Sequence, residues 1–222
     1  MDFAHSPKIV TDGLVLALDA GNPKSYPGSG TIWRDKSGNG NDGTLTNGPI
    51  YRTGSGGSMD FDGVNDHIIL TEAVSLPGEF TAQFWFYKNN SLGQQSLSGN
   101  TSDSASPGSK ILFFNETNLF VRIIAGAAQV NANIGYTSAL DGIWQMVSVT
   151  RDSSNVIKAR LNIASETTIG TLAGTFNQED IGRNSDGQYL NGNISSVKFY
   201  NRALSASEVQ QNYNALKGRF GL

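Results

Sequence analysis

Between Trp33 and Leu70 the chain twice sets a cluster of turn-forming residues directly against residues of strand type. The first cluster is Asp35-Lys36-Ser37-Gly38-Asn39-Gly40-Asn41-Asp42-Gly43, running into Thr44-Leu45. The second is Asp62-Gly63-Val64-Asn65-Asp66, held between Phe61 and His67-Ile68-Ile69-Leu70. Glycine reaches positive φ without steric cost, and Asn and Asp side chains hydrogen-bond back to their own backbone. Reversals this tight between apolar, β-branched stretches predict an all-β chain. Glycine supports this at chain scale: 26 of 222 residues, with only six prolines and no repeat period, against a typical ~7%.

Strand patterns recur to the end of the chain. Leu14-Val15-Leu16-Ala17-Leu18 is a continuous apolar run closed by Asp19, as in a strand covered on both faces. Phe80, Ala82, Phe84 and Phe86 alternate with Thr81, Gln83, Trp85 and Tyr87, which predicts one strongly apolar face. Two hairpins are expected, 111–114 with 119–124 and 144–149 with 156–163, and Ile194, Val197 and Phe199 mark a last strand. The polar Ser/Gly/Asn stretch 91–109 is expected to be a long loop. One helix is expected near 206–217: Ser205 and Glu208 fit a capping box, Leu204 and Val209 the hydrophobic staple. Val209, Tyr213 and Leu216 form its apolar stripe, and Gly218 is its expected stop. The expected fold is a two-sheet antiparallel jelly-roll sandwich with one short C-terminal helix, spanning 9–222 behind an N-terminal tail of residues 1–8.

Composition narrows the function classes. A net charge of −3 without any basic cluster argues against nucleic acid. The absence of cysteine excludes disulfides and thiolate chemistry. No apolar run approaches the length of a membrane span, and the first residues lack the basic and apolar regions of a signal peptide. A soluble chain made in a cytoplasm is the expectation.

Four blocks resemble the laminin-G-like, concanavalin A-like family. They are the two turn clusters, the run Asp141-Gly142-Ile143-Trp144 to Thr150-Arg151, and Ile181-Gly182-Arg183 followed by Leu190 to Leu204. The chain departs from the family pattern at Ser195, where an Asp is usual. The opening block Ile9 to Asn22, with Ser25 to Thr31, is similar to laminin-G-like proteins encoded by tailed bacteriophages. That resemblance implies a non-enzymatic structural protein made in the host cytoplasm and exposed on the virion surface, as a capsid decoration or in a tail or fibre. Its implied partners are other virion proteins, in a homo-oligomer, and environmental or host glycans. A free-standing carbohydrate-binding adhesion module is the alternative, and a hydrolase or lyase of the glucanase branch the third reading.

The candidate chemistry is sparse, and no catalytic residue is assigned. Glycoside hydrolysis needs two carboxyl groups facing the scissile bond, ~5–9.5 Å apart. The Glu-x-Asp-x-(x)-Glu spacing of the glucanase branch is missing, and Asp60 and Asp62 sit at structural turn positions. His5 and His67 are expected at the surface. Asp35, Asn39 and Asn41 place oxygen-bearing side chains at alternate positions, as a calcium loop does, although a self-capped turn explains them as well. No other cofactor is expected. For glycan binding, Trp33, Tyr51 and Tyr189 lie in loop contexts and could offer ring platforms, whereas Trp85 and Trp144 sit within strand patterns and are expected in the core. Phe3 and Pro7, in the tail, are the expected docking residues for an assembly partner.

Overall fold

The alternation that begins at Phe80 lies at the centre of the molecule, because the strand it forms is covered on both sides. In the computed structural model, which describes residues 7–89, 93–100, 110–116, 118–125 and 128–222, the chain runs through β1 (Leu14–Asp19), β2 (Ile32–Trp33), β3 (Gly43–Thr46), β4 (Ile50–Arg52) and β5 (Ser58–Asp62). It continues through β6 (His67–Leu76), β7 (Phe80–Lys88), β8 (Gln94–Gly99), β9 (Lys110–Asn115), β10 (Asn118–Ala125) and β11 (Ala128–Asn133). Last come β12 (Gln145–Arg151), β13 (Val156–Leu161), β14 (Thr167–Thr171), β15 (Phe176–Ile181), β16 (Asn191–Tyr200) and the helix α1 (Ala206–Leu216).

All strand pairs are antiparallel and form two sheets. One runs β14-β13-β12-β7-β16-β5-β4, with β1 also on β16; the other runs β11-β10-β9-β8-β15-β6-β3-β2. The inner faces enclose Phe80, Phe84, Phe86, Val147, Val149, Ile194, Val197 and Phe199 from the first sheet and Ile68, Leu97, Phe114 and Ile181 from the second. Each such side chain contributes about 1.5–3 kcal/mol by leaving water. Both expected hairpins are present, as β9–β10 and β12–β13.

The face of the first sheet that points away from the second carries its own apolar cluster. Val10, Trp85, Met146, Tyr200, Leu204, Val209, Tyr213 and Leu216 pack together there, so α1 lies across the sheet. That explains why β7, expected to show one apolar face, is buried on both. The capping box forms: Ser205 Oγ accepts from the Glu208 amide, and Glu208 accepts from the Ser205 amide. A bidentate ion pair with Arg202, reinforced by the Ser205 N–H, holds the Glu208 carboxyl down at about 2. The chain does not stop at Gly218 as expected. It tightens into a 3-10 turn, Lys217–Phe220, which ends at Gly221 in the left-handed region (φ 73°).

Three other expectations are corrected. The stretch 91–109 is not loop throughout, since Gln94–Gly99 is a strand between β9 and β15. Its buried residues are mostly Gln and Ser, satisfied by the backbone: Ser96 Oγ donates to Ser98 and Leu112 carbonyls, and Gln95 accepts from the Asn191 amide. Hence no apolar alternation announced it. His67 is buried, not at the surface; burial depresses its pKa, partly offset by its bond to the Asn65 carbonyl. Trp33 is fully buried in the inter-sheet core, because β2 closes the edge of the second sheet and points the indole inward. It therefore has no ring face to offer a sugar.

Candidate functional site

An open groove of about 370 Å3 lies on the outer face of the first sheet, lined by Arg52, Ser55, Asp60, Tyr87, Asn89, Trp144 and Asn193, among others. Strand register puts these side chains together. Arg52 pairs with Ser58 across β4–β5, Asp60 with Asn193 across β5–β16, and Asn193 with Tyr87 across β16–β7. Trp144 enters β12 one residue before Gln145, which pairs with Phe86, so its ring meets Tyr87 at a centroid distance of 5.7 Å.

The indole is held from three sides. Trp144 Nε1 donates to Ser55 Oγ at 3.0 Å, in the 3-10 turn Gly54–Gly56. The Phe220 ring lies tilted against it at 4.6 Å and stacks on Trp85 at 4.4 Å, and Trp85 in turn stacks on Tyr213. Arg219, beside Phe220, makes a two-pronged ion pair with Asp19 and packs so closely on Gly21 and Gly56 that a Cβ at Gly21 would lie 2.6 Å from its Nη1. The C-terminal turn thus fixes both the tryptophan and the loop it donates to.

A buried ion pair anchors the segment leading into Trp144. Lys88 Nζ lies 3.0 Å from Asp141 Oδ2, with side chains 0% and 6% exposed. Tyr136 donates its hydroxyl to Asp141 Oδ1, and the Gly142 amide donates to the Lys88 carbonyl. The Asp-Gly-x-Trp run is therefore a clamp: the carboxylate is pinned inside, and glycine at φ 74° turns the chain.

Polar groups left over in the groove face outward. The Tyr87 hydroxyl and Asn193 amide make no side-chain hydrogen bond among the described residues. Arg52 Nε and Nη2 both donate to Asp60 Oδ2, at 2.9 and 2.7 Å, which leaves Asp60 Oδ1 open. Asn89 is tied to Asn191 at 2.6 Å. The groove combines a braced aromatic ring with donors and acceptors at its rim.

The expected site residues are scattered. Tyr51 faces the other side of β4, half-buried against Tyr26 at 5.2 Å. Tyr189 sits near His67, ring centroids 6.0 Å apart. Trp144, expected in the core, is the half-exposed tryptophan. Asp35, Asn39 and Asn41 do come together, but around β1. Asp35 Oδ1 accepts from the Ala17 and Ser37 amides, and Oδ2 from Ser37 Oγ and the Asn41 amide. Both Asn side chains turn their nitrogens to the Val15 carbonyl. With the carboxylate saturated by protein donors, these residues do not fit a calcium ion. Among the described residues, no group of three or more His, Asp or Glu is placed to share a metal.

Asp60 lies within β5 and pairs with Arg52, whereas Asp62 caps the turn that follows. Asp62 accepts amides from Val64, Asn65 and Asp66. Burial opposes its ionisation, but these bonds outweigh that and hold its carboxyl below the usual range. Ser195, in place of the family's Asp, is buried and donates to the Gly57 carbonyl at 2.7 Å, which a carboxylate could not do. Phe3 lies outside the described residues. Pro7 is exposed, and from Lys8 onward the tail is docked: the Lys8 carbonyl accepts from Gln211, while Val10 bonds Asn212 and Tyr200.

No curated protein sequence matches the chain. Among solved structures it resembles the binding domain of Paraclostridial Mosquitocidal Protein 1 at 18% identity and TM-score 0.67, covering 92% of this chain and 52% of that one. The receptor binding domain of botulinum neurotoxin C/D mosaic serotype matches at 17% and 0.68, covering 92% and 51%. The serotype D ligand binding domain in complex with N-acetylneuraminic acid matches at 17% and 0.66, with 92% and 51% covered. The chain thus spans about half the length of each, and at these identities the likeness concerns the fold. The family model described as concanavalin A-like lectin/glucanases superfamily matches residues 62–210, well over half of the sequence. Together with the two-sheet sandwich, that match establishes that the chain belongs to the concanavalin A-like lectin/glucanases superfamily.

Proposed function

We propose that this protein is a non-enzymatic carbohydrate-binding module whose ligand lies in the groove over Trp144. The observation that carries the proposal is one open face presenting a braced indole beside the Tyr87 hydroxyl, the Asn193 amide and the free Asp60 oxygen. A saccharide offers an apolar C–H face for an aromatic ring and a rim of hydroxyls for convergent polar groups. The groove holds a single carboxylate, Asp60, already paired with Arg52. Hydrolysis with two carboxyl groups ~5–9.5 Å apart has no second partner in that lining, so binding without turnover is the chemistry it supports. The binding roles named for the similar toxin domains agree with this reading.

The setting we propose is the outside of a tailed-phage virion, on capsid or tail, which rests on the opening block's resemblance alone. Mass spectrometry of purified particles would find the chain there; its absence would favour the free-standing module.

The groove itself is tested on a glycan array with the wild type and Trp144→Ala. The expected result is a glycan bound by the wild type and bound about tenfold or more weakly by a variant with an intact melting transition. Equal binding by the two proteins would move the site elsewhere.

A further inference from the structure

The charge arrangement of the groove carries a statement about which saccharides it takes, and it rests on the glycan reading above. Of the residues that line it, Arg52 and Asp60 alone are charged, and they are paired. Two guanidinium nitrogens converge on one carboxylate oxygen, with the arginine side chain 54% and the aspartate 26% exposed. The cation at the rim is therefore already balanced. The carboxylate oxygen left without a hydrogen bond is Asp60 Oδ1, and Asp60 lines the same groove as Tyr87 and Asn193. The lining therefore carries no net charge.

We propose that the groove selects uncharged saccharides and rejects sialylated or sulfated ones, with Asp60 as the residue that sets this choice. A free Asp60 oxygen is an acceptor for vicinal sugar hydroxyls, which a neutral hexose supplies. A sialic acid carboxylate or a sulfate ester would bring a second anion beside Asp60, to a guanidinium whose Nε and Nη2 are already committed to it. Unpaired like charge in a partly desolvated site discriminates strongly. The preference is opposite to simple transfer from the sialic-acid complex of the similar toxin domain, so the two can be told apart.

The test is an array of matched probes: galactose-terminated N-acetyllactosamine, its α2-3-sialylated form and its 6-sulfated form. The wild type should bind the neutral probe at least about tenfold better than either anionic one. Asp60→Asn keeps the shape and removes the countercharge, freeing Arg52; it should narrow or invert that ratio. Arg52→Gln, which leaves the anion alone, should widen it, and melting curves establish that both variants fold. Wild-type binding to a sialylated or sulfated probe as strong as to the neutral one overturns the inference while leaving the glycan reading standing. An unchanged ratio in Asp60→Asn also overturns it. Silence of all three probes, in an array where Trp144→Ala also changes nothing, defeats both.

Discussion

Replacing Asp141 with Ala should be one of the most destabilising single changes in the molecule, and its size follows from the burial of its partner. Lys88 Nζ is fully enclosed, 3.0 Å from Asp141 and 5.7 Å from the centre of the Phe114 ring. Removing the carboxylate leaves a buried ammonium that has lost its Asp141 countercharge, with the Asn89 carbonyl at 3.2 Å as a neutral acceptor. Breaking a buried pair from one side costs about 3–5 kcal/mol. At roughly 2–4 °C per kcal/mol for a chain of this size, the melting temperature should fall by about 6–20 °C. The double variant Lys88→Met/Asp141→Ala removes both charges, and most of that loss should return, although the Tyr136 hydroxyl still lacks its acceptor. Urea unfolding of the wild type, both single variants and the double gives the coupling directly. A loss below about 1 kcal/mol for Asp141→Ala, or a double variant no better than the single, would refute the claim that this pair is desolvated and holds the Trp144 segment.

Three further outcomes are expected. Phe220→Ala removes the ring between Trp85 and Trp144 and should cost about 1–3 kcal/mol; it should also weaken glycan binding, with Phe220→Leu restoring part of both, and unchanged affinity would show that the C-terminal turn does not position Trp144. Lys198 is fully buried, and burial lowers its pKa to about 8; the folded state therefore binds fewer protons than the unfolded chain between pH 8 and the ordinary lysine value, so stability rises with pH across that window. Lys198→Met should accordingly raise the melting temperature at pH 7, with the gain fading above pH 8, and a pH-independent difference would contradict the buried charge. A chelator should leave the melting temperature unchanged, because Asp35 is saturated by protein donors; a drop that calcium reverses, and that Asp35→Ala abolishes, would contradict the self-capped turn.

How far the sequence was legible differs from element to element for physical reasons. Turn clusters, hairpins and the capping box depend on neighbours in the chain, so Asp62, Ser205 and Glu208 do what their local context dictates. The strand Gln94–Gly99 was invisible because its buried groups are mostly polar and bond to backbone atoms that only the folded sheet supplies. Trp33 and Trp144 exchanged places for a related reason. Trp144 shares the phase of Met146 and Ser148, opposite Val147 and Val149, so the period-two pattern did contain its outward direction. What the pattern lacked was adjacency. That Asp60, Asn193, Tyr87 and Trp144 stand in one row follows from the order β5-β16-β7-β12, which joins segments more than a hundred residues apart. Ser55 and Phe220, which brace the indole, belong to short turns with no periodic signal at all.

The central claim, a glycan seated on Trp144, is tested most directly by fluorine NMR of protein labelled with 5-fluorotryptophan. The chain has three tryptophans; Trp33 and Trp85 are 0% and 2% exposed, and Trp144 lines the groove. Titration with neutral N-acetyllactosamine should shift one resonance, the one missing from Trp144→Phe, and leave the resonances of the two buried rings in place. Saturable binding with the Trp144 signal unmoved would contradict the account.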